Sequence, residues 1–263
     1  MEWEKTVSTT YQAVATGQLS DPAERLRLMG QKMGLWNHGF DFPRFARQLF
    51  RDIDFHDQSL LEIGCGKGML CLWAALHGAD KTVGLEPLAE GCYDSSECHR
   101  AFRSMAQQLE LPQATILPYT VQAFNGADAS FDVVLSVASI NHLDEKSCIA
   151  LRESPQAVRA YQEIFRRIAR MMKPGGKLII MDAARRNLFG DFGVRNPMSP
   201  NIEWFKHQQP EDWARLLRSC GFSNENIRWA SGKLWRYAGL TSLPKALSYC
   251  GQSLFRLEMT RDS

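Results

Sequence analysis

Ser59-Leu60-Leu61-Glu62-Ile63-Gly64-Cys65-Gly66-Lys67-Gly68-Met69 runs from a short apolar segment straight into three alternating glycines. The apolar segment predicts a buried strand, and Leu70, Trp73, Ala74 and His77 then mark one face of a helix that Gly78 ends. A glycine-rich turn between strand and helix is where backbone comes close to a ligand or closes a tight corner, because side chains there would collide. The spacing is G-x-G-x-G. A dinucleotide fingerprint would need its third glycine where Met69 stands, and no G-x-x-x-x-G-K-[ST] phosphate loop occurs in the chain.

Outward from this loop the pattern repeats. Thr82 to Leu85 reads as a second strand closed by Glu86-Pro87, Ala114 to Leu117 as a third, and Phe131 to Ser136 as a fourth. Ser154-Pro155 opens a helix whose Val158, Tyr161, Phe165, Ile168 and Met172 share a face. Lys173-Pro174-Gly175-Gly176 ends it, and Lys177 to Met181 is a fifth strand. Strands alternating with helices predict an α/β fold with a parallel, doubly wound sheet. Pro210 to Cys220 reads as a helix, followed by strands at Asn226–Trp229 and Leu254–Met259. No crossover helix joins these two, so a final antiparallel strand at the sheet edge is expected. Asp21-Pro22-Ala23-Glu24 carries a capping Asp, a first-turn Pro and a Glu three residues after the cap, so a helix begins there. Its Leu26, Met29, Gly30 and Met33 fall at helical spacing. The expected organisation is a helical cap over 1–58, a core over 59–183 and a C-terminal acceptor or lid region over 184–263, all in one compact domain.

The 263 residues are 44% hydrophobic and 23% charged, an ordinary composition for a packed core, and 31 Lys and Arg against 29 Asp and Glu leave a net charge of +2. Such balance points to neither nucleic acid nor an anionic membrane. The start lacks a basic stretch followed by an apolar run, and no segment reaches membrane-spanning length, so a cytoplasmic location is expected. The seven cysteines form no C-x-x-C pair. Neither a disulfide framework nor a zinc site is indicated, and reduced structural thiols are expected.

Glu86 places a carboxylate beside the glycine loop, where it can accept from both hydroxyls of a ribose. With the loop, this acid makes Leu60 to Met181 resemble the class I S-adenosylmethionine-dependent methyltransferases, whose Rossmann-like sheet is mostly parallel with an antiparallel last strand. The resemblance implies S-adenosylmethionine as cofactor. It assigns Glu62 to the methionine amino group, Gly64, Cys65, Gly66 and Gly68 to the backbone cradle, Glu86 to the ribose, and Pro87 with Leu88 to the adenine face. Thr120-Val121-Gln122 falls where relatives carry an acidic adenine-reading segment. Thr120 and Gln122 can supply an acceptor and Val121 a backbone N–H, but the carboxylate is missing. Ser136, ending the fourth strand, completes the implied cofactor set.

Methyl transfer is an in-line displacement in which the protein aligns the acceptor and excludes water. An alcohol acceptor gains from a base, and histidine is the side chain whose ordinary pKa suits that task. In Ser136-Val137-Ala138-Ser139-Ile140-Asn141-His142, His142 follows the fourth strand, where many small-molecule relatives place a histidine, and is expected to act as base or to orient the acceptor. Trp36 and His38 from the cap, Asn141, and Trp204, Phe205 and His207 from the C-terminal region are expected to wall the acceptor. His38 and His207 read as lid or turn residues. DNA base methylation is excluded by the sequence after the fourth strand, which lacks the required prolines and aromatic. A metal-assisted catechol type would need more carboxylates than Asp144 and Asp182, and no metal is expected. Asn196 to His207 resembles bacterial methyltransferases of surface glycans, which makes a glycan as well as a small molecule a candidate acceptor, through oxygen. Lys233, Arg236 and Lys245, interleaved with Trp235, Tyr237 and Tyr249, would suit a membrane surface, though a partly buried lid is favoured. The alternatives are an NAD-linked oxidoreductase and a non-catalytic cofactor-binding partner subunit.

Overall fold

The computed structural model describes residues 21–36, 40–88, 95–230 and 243–263. Its centre is β1 (Ser59–Ile63), buried along its whole length, with β2 (Lys81–Leu85) and β3 (Ala114–Leu117) on one side. On the other side lie β4 (Phe131–Val137), β5 (Met172–Ala183), β7 (Leu254–Arg261) and β6 (Phe222–Trp229), giving the order β3-β2-β1-β4-β5-β7-β6. The first five strands run parallel, and β7 is antiparallel to both β5 and β6. The last strand is antiparallel as expected but takes the second place from the edge, and β6 forms the edge itself.

Among the described residues, eight helices of at least six residues dress the sheet. The cap supplies α1 (Pro22–Lys32) and α2 (Phe42–Leu49), and each starts on an Asp, Asp21 or Asp41, whose side chain accepts a first-turn N–H. α3 (Met69–Leu76), α4 (Ser95–Gln108), α5 (Glu145–Ala150), α6 (Pro155–Met171), the four-residue α7 (Leu188–Asp191), α8 (Pro210–Arg218) and α9 (Lys245–Cys250) follow. One core layer packs α6 and α8 on the sheet through Tyr161, Phe165 and Trp213. The other packs α1, α2, α3 and α4 on the opposite face through Leu26, Phe42, Trp73 and Phe102.

Two contacts fix the cap. Gly30 lets Trp36 lie on α1, since a Cβ there would sit 2.3 Å from the indole, and the same indole stacks on Phe42 at 4.8 Å. Beneath α2, Arg256 of β7 donates from Nε to the carbonyl of Leu49 at 2.7 Å and from Nη2 to Glu258 at 2.7 Å. This buried pair joins sheet to cap, and losing either member would strand a charge. No helix among the described residues is long and apolar enough to cross a membrane.

Candidate active site

The three glycines of the β1–α3 turn all have positive φ, 69° at Gly64, 54° at Gly66 and 67° at Gly68. They serve different ends. A Cβ on Gly64 would lie 2.6 Å from Ser139 Cβ, and one on Gly68 would lie 2.1 Å from Phe102, so both close the loop onto neighbouring elements. A Cβ on Gly66 would meet nothing within 4 Å. Gly66 therefore keeps its backbone open to a ligand. Gly68→Ala combines left-handed strain with overpacking against Phe102, and its unfolding free energy should fall by about 2–5 kcal/mol in urea titration.

The loop is tied to the end of β2. The N–H groups of Gly64 and Cys65 both donate to the Leu85 carbonyl, at 2.9 and 3.1 Å, and Gly66 N–H donates to Glu86 Oε2 at 2.7 Å. His99 of α4, to which sequence reasoning gave no role, is buried and sits with Nε2 2.8 Å from the Glu86 carbonyl, fixing the turn that aims this acid. Glu86 can still accept further hydrogen bonds. Leu88, next along, is 62% exposed, as a residue offering an apolar face to a ligand would be. Pro87 lies half-buried beside it.

Glu62 is buried at the base of the same crevice. Loss of hydration pushes its carboxyl up to about 8, with Glu86 adding to the rise, although the N–H of Cys71 donates to Oε2 at 3.1 Å and opposes it. Burial likewise pushes the thiols of Cys65 and Cys71 far up, so neither is a nucleophile. All the described cysteines are free thiols. A cavity of about 380 Å³ opens between Glu62, Gly64, Cys65 and Gly66 on one wall and Trp36, Phe40, Phe42 and Phe45 of the cap on the other.

The remaining expected residues are spread along the carboxyl ends of the strands. Val121 is buried, and the Gln122 amide donates to the Leu143 carbonyl at 2.6 Å, which leaves the Gln122 and Thr120 oxygens as acceptors at an exposed rim. Ser136 lies inside the protein with its hydroxyl 2.7 Å from that of Ser139, which donates to the Ile63 carbonyl at 2.6 Å. The pair ties the end of β4 to β1. Asn141 is buried with its Oδ1 unpartnered and does not line the cavity. His38 lies outside the described residues, as does the basic and aromatic segment 231–242.

The two histidines differ. His142 has a 60% exposed side chain with Nδ1 3.2 Å from Glu145, an acid that also pairs with Lys206. His207 is 13% exposed and has Nδ1 3.3 Å from Asp182, which is almost wholly buried at the end of β5. No protein partner faces its Nε2 among the described residues, and that atom is not sealed from solvent. Sequence reasoning treated His207 as a lid or turn residue and Asp182 as a stray metal candidate; nothing at a separation of 25 residues signals the pair. Trp204 packs on Gly190 of α7, and Phe205 is half exposed beside it. In the 196–207 segment, buried Asn196 donates to the Gly251 carbonyl at 2.8 Å, as Asn187 does at 2.7 Å, so much of that segment's composition serves loop packing. Among the described residues no three His, Cys, Asp or Glu side chains are gathered to hold a metal.

An open glycine loop, a carboxylate at the end of β2 tied to that loop and a buried acid lining the cavity fit an amino-acid-bearing nucleoside, the shape of S-adenosylmethionine. A sequence profile described as a methyltransferase domain matches residues 35–227, more than half of the chain. The chain belongs to that family. This methyltransferase uses S-adenosylmethionine and has the Rossmann-like class I fold, which sets the oxidoreductase alternative aside. Among solved structures it is similar to an S-adenosylmethionine-dependent methyltransferase from Mesorhizobium loti, at 17% identity and TM-score 0.54, over 83% of this chain and 96% of that one. One from Aquifex aeolicus shows 12% identity and TM-score 0.55 over 92% and 100%. The geranyl diphosphate C-methyltransferase of Streptomyces coelicolor, in complex with S-adenosyl-L-homocysteine, shows 14% identity and TM-score 0.59 over 83% and 76%. Against curated protein sequences no significant match is found.

Proposed function

We propose that this methyltransferase transfers its methyl group to an oxygen of a small-molecule acceptor. The observation that carries the reading is the carboxylate-backed His207 at the carboxyl end of β5, where an acceptor hydroxyl can lose its proton. When bound, S-adenosylmethionine supplies a methyl group on a cationic sulfur, reactive enough to need no further activation.

The chain's own residues then have four tasks. Gly66 and Glu86 hold the nucleoside, and Glu62 holds the amino group. The buried aromatic side chains of the cap exclude water from the reacting centre. His207, with Nδ1 turned to Asp182, presents Nε2 as the proton acceptor, and Asp182 stabilises the imidazolium that results. His142, more exposed and facing a Glu145 already paired with Lys206, orients the acceptor from the rim.

Incubation with S-adenosylmethionine carrying an isotope-labelled methyl group, offered a mixture of phenols, indoles, amines and simple glycosides, tests the reading. Label should appear as oxygen-bound methyl, recognised by its downfield carbon shift. Label found only on carbon or nitrogen would overturn it.

A further inference from the structure

The cavity beside the glycine loop has two unlike walls. One carries the polar groups: the backbone of Gly64 to Gly66, the carboxyl of Glu62 and Lys67, with Met69 and Leu70 of α3 beside them. The other is built by the cap from Leu35, Trp36, Phe40, Phe42 and Phe45, and Val137 of β4 also lines the cavity. Phe42 is locked between Trp36, stacked at 4.8 Å, and Trp73, edge-on at 5.7 Å, so this wall is preformed. Its sole polar side-chain atom, the indole Nε1 of Trp36, is sealed within the wall and offers the cavity no donor.

The amino and carboxyl groups of the cofactor's methionine end need the polar wall, and they find nothing to bind on the aromatic one. We propose that the aromatic half of this cavity is the acceptor site, and that the acceptor is a flat apolar compound of one or two rings that carries its hydroxyl out of the cavity toward His207. The proposal rests on the methyl-transfer reading above and deepens it. At about 380 Å³ the cavity lies at the small end of ligand pockets, room for such a ring system beside part of the cofactor. Stacked and edge-on aromatic side chains reward a planar ring with contacts beyond simple burial. A monosaccharide fits poorly. Each hydroxyl moved from water onto a wall with no accessible donor or acceptor would go unpaired.

The test uses the full chain saturated with S-adenosylhomocysteine and reads binding by calorimetry, with 2-naphthol, naphthalene and methyl glucoside as probes. 2-Naphthol should bind at least about tenfold more tightly than methyl glucoside. Trp36→Leu keeps apolar bulk and removes the ring stacked on Phe42, so 2-naphthol and naphthalene should both weaken by about fivefold. Phe45→Ser, at a half-buried position whose loss the fold should tolerate, should weaken both aromatic probes by about tenfold and leave S-adenosylhomocysteine affinity unchanged. Glucoside binding as tight as naphthol binding, or naphthol binding untouched by both substitutions, overturns the proposal. A parallel loss of S-adenosylhomocysteine affinity in Phe45→Ser also overturns it, because the cavity would then belong to the cofactor. Absence of S-adenosylhomocysteine binding to the wild type is a different result, one that removes the cofactor reading and the acceptor site with it.

Discussion

Raising the pH from about 5 to about 8 is expected to tighten S-adenosylhomocysteine binding by up to about a thousandfold, and further increase should add little. The cause is Glu62. In the free protein burial keeps its carboxyl protonated to about pH 8, whereas a ligand ammonium placed beside it requires the carboxylate. Binding therefore expels a proton throughout that window, and affinity gains about tenfold per pH unit. The demethylated product is the better probe because no turnover intervenes. Glu62→Gln should flatten the profile and bind weakly at every pH. The same group sets a stability trend in the free protein. Its folded pKa, about 8, lies above the ordinary 4.5, so over that range the folded chain holds a proton that the unfolded chain has released. Stability is fully present below about 4.5 and falls by up to about 1.4 kcal/mol per pH unit as the pH rises toward 8, where the loss levels off. Glu62→Gln should remove that slope and be more stable than the wild type at pH about 8. A wild-type affinity that does not change with pH would remove Glu62 from the ammonium site.

The five parallel strands and the cofactor loop were legible because their signals are local. Apolar runs ending in glycine or Glu-Pro can be read in a window of ten residues, and so can the caps at Asp21 and Ser154, both of which accept first-turn N–H groups. The place of β7 was harder for a physical reason. Leu254-Phe255-Arg256-Leu257-Glu258-Met259 alternates apolar with charged, the pattern of an edge strand with one wet face. Arg256 and Glu258 are nevertheless buried, because they satisfy each other and the Leu49 carbonyl beneath α2. A pattern of single residues cannot reveal that two charges are paired. The candidate site divides in the same way. Glu62, the glycines and Glu86 belong to one strand-loop-strand unit and were found, and the structure adds that Gly66 alone faces open space. The aromatic wall was seen only as Trp36, since Phe40, Phe42 and Phe45 read as ordinary cap residues until α2 is docked against the loop. His99 and the His207–Asp182 pair join elements distant in the chain and leave no local trace.

His207→Ala should lower kcat by about a hundredfold to ten-thousandfold toward whichever oxygen acceptor carries the label, with S-adenosylhomocysteine affinity unchanged. The range is that of a lost general base, and cofactor binding is spared because His207 lies over β5 while Glu62, Gly66 and Glu86 lie at β1 and β2. Asp182→Asn separates a base from a packing residue. It keeps the size of the side chain but replaces the buried acceptor facing Nδ1 with an amide, so the imidazolium formed in the reaction loses its stabilising charge and kcat should fall at an almost unchanged KM. A purely structural Asp182 would alter stability and leave kcat unchanged. His142→Ala should instead raise KM by about tenfold with a smaller effect on kcat, as expected of a rim residue that aligns the acceptor. If His142→Ala shows the large loss of kcat and His207→Ala the small one, the exposed histidine facing Glu145 is the base, and the buried carboxylate of Asp182 serves only to dock the 204–207 turn on the end of β5.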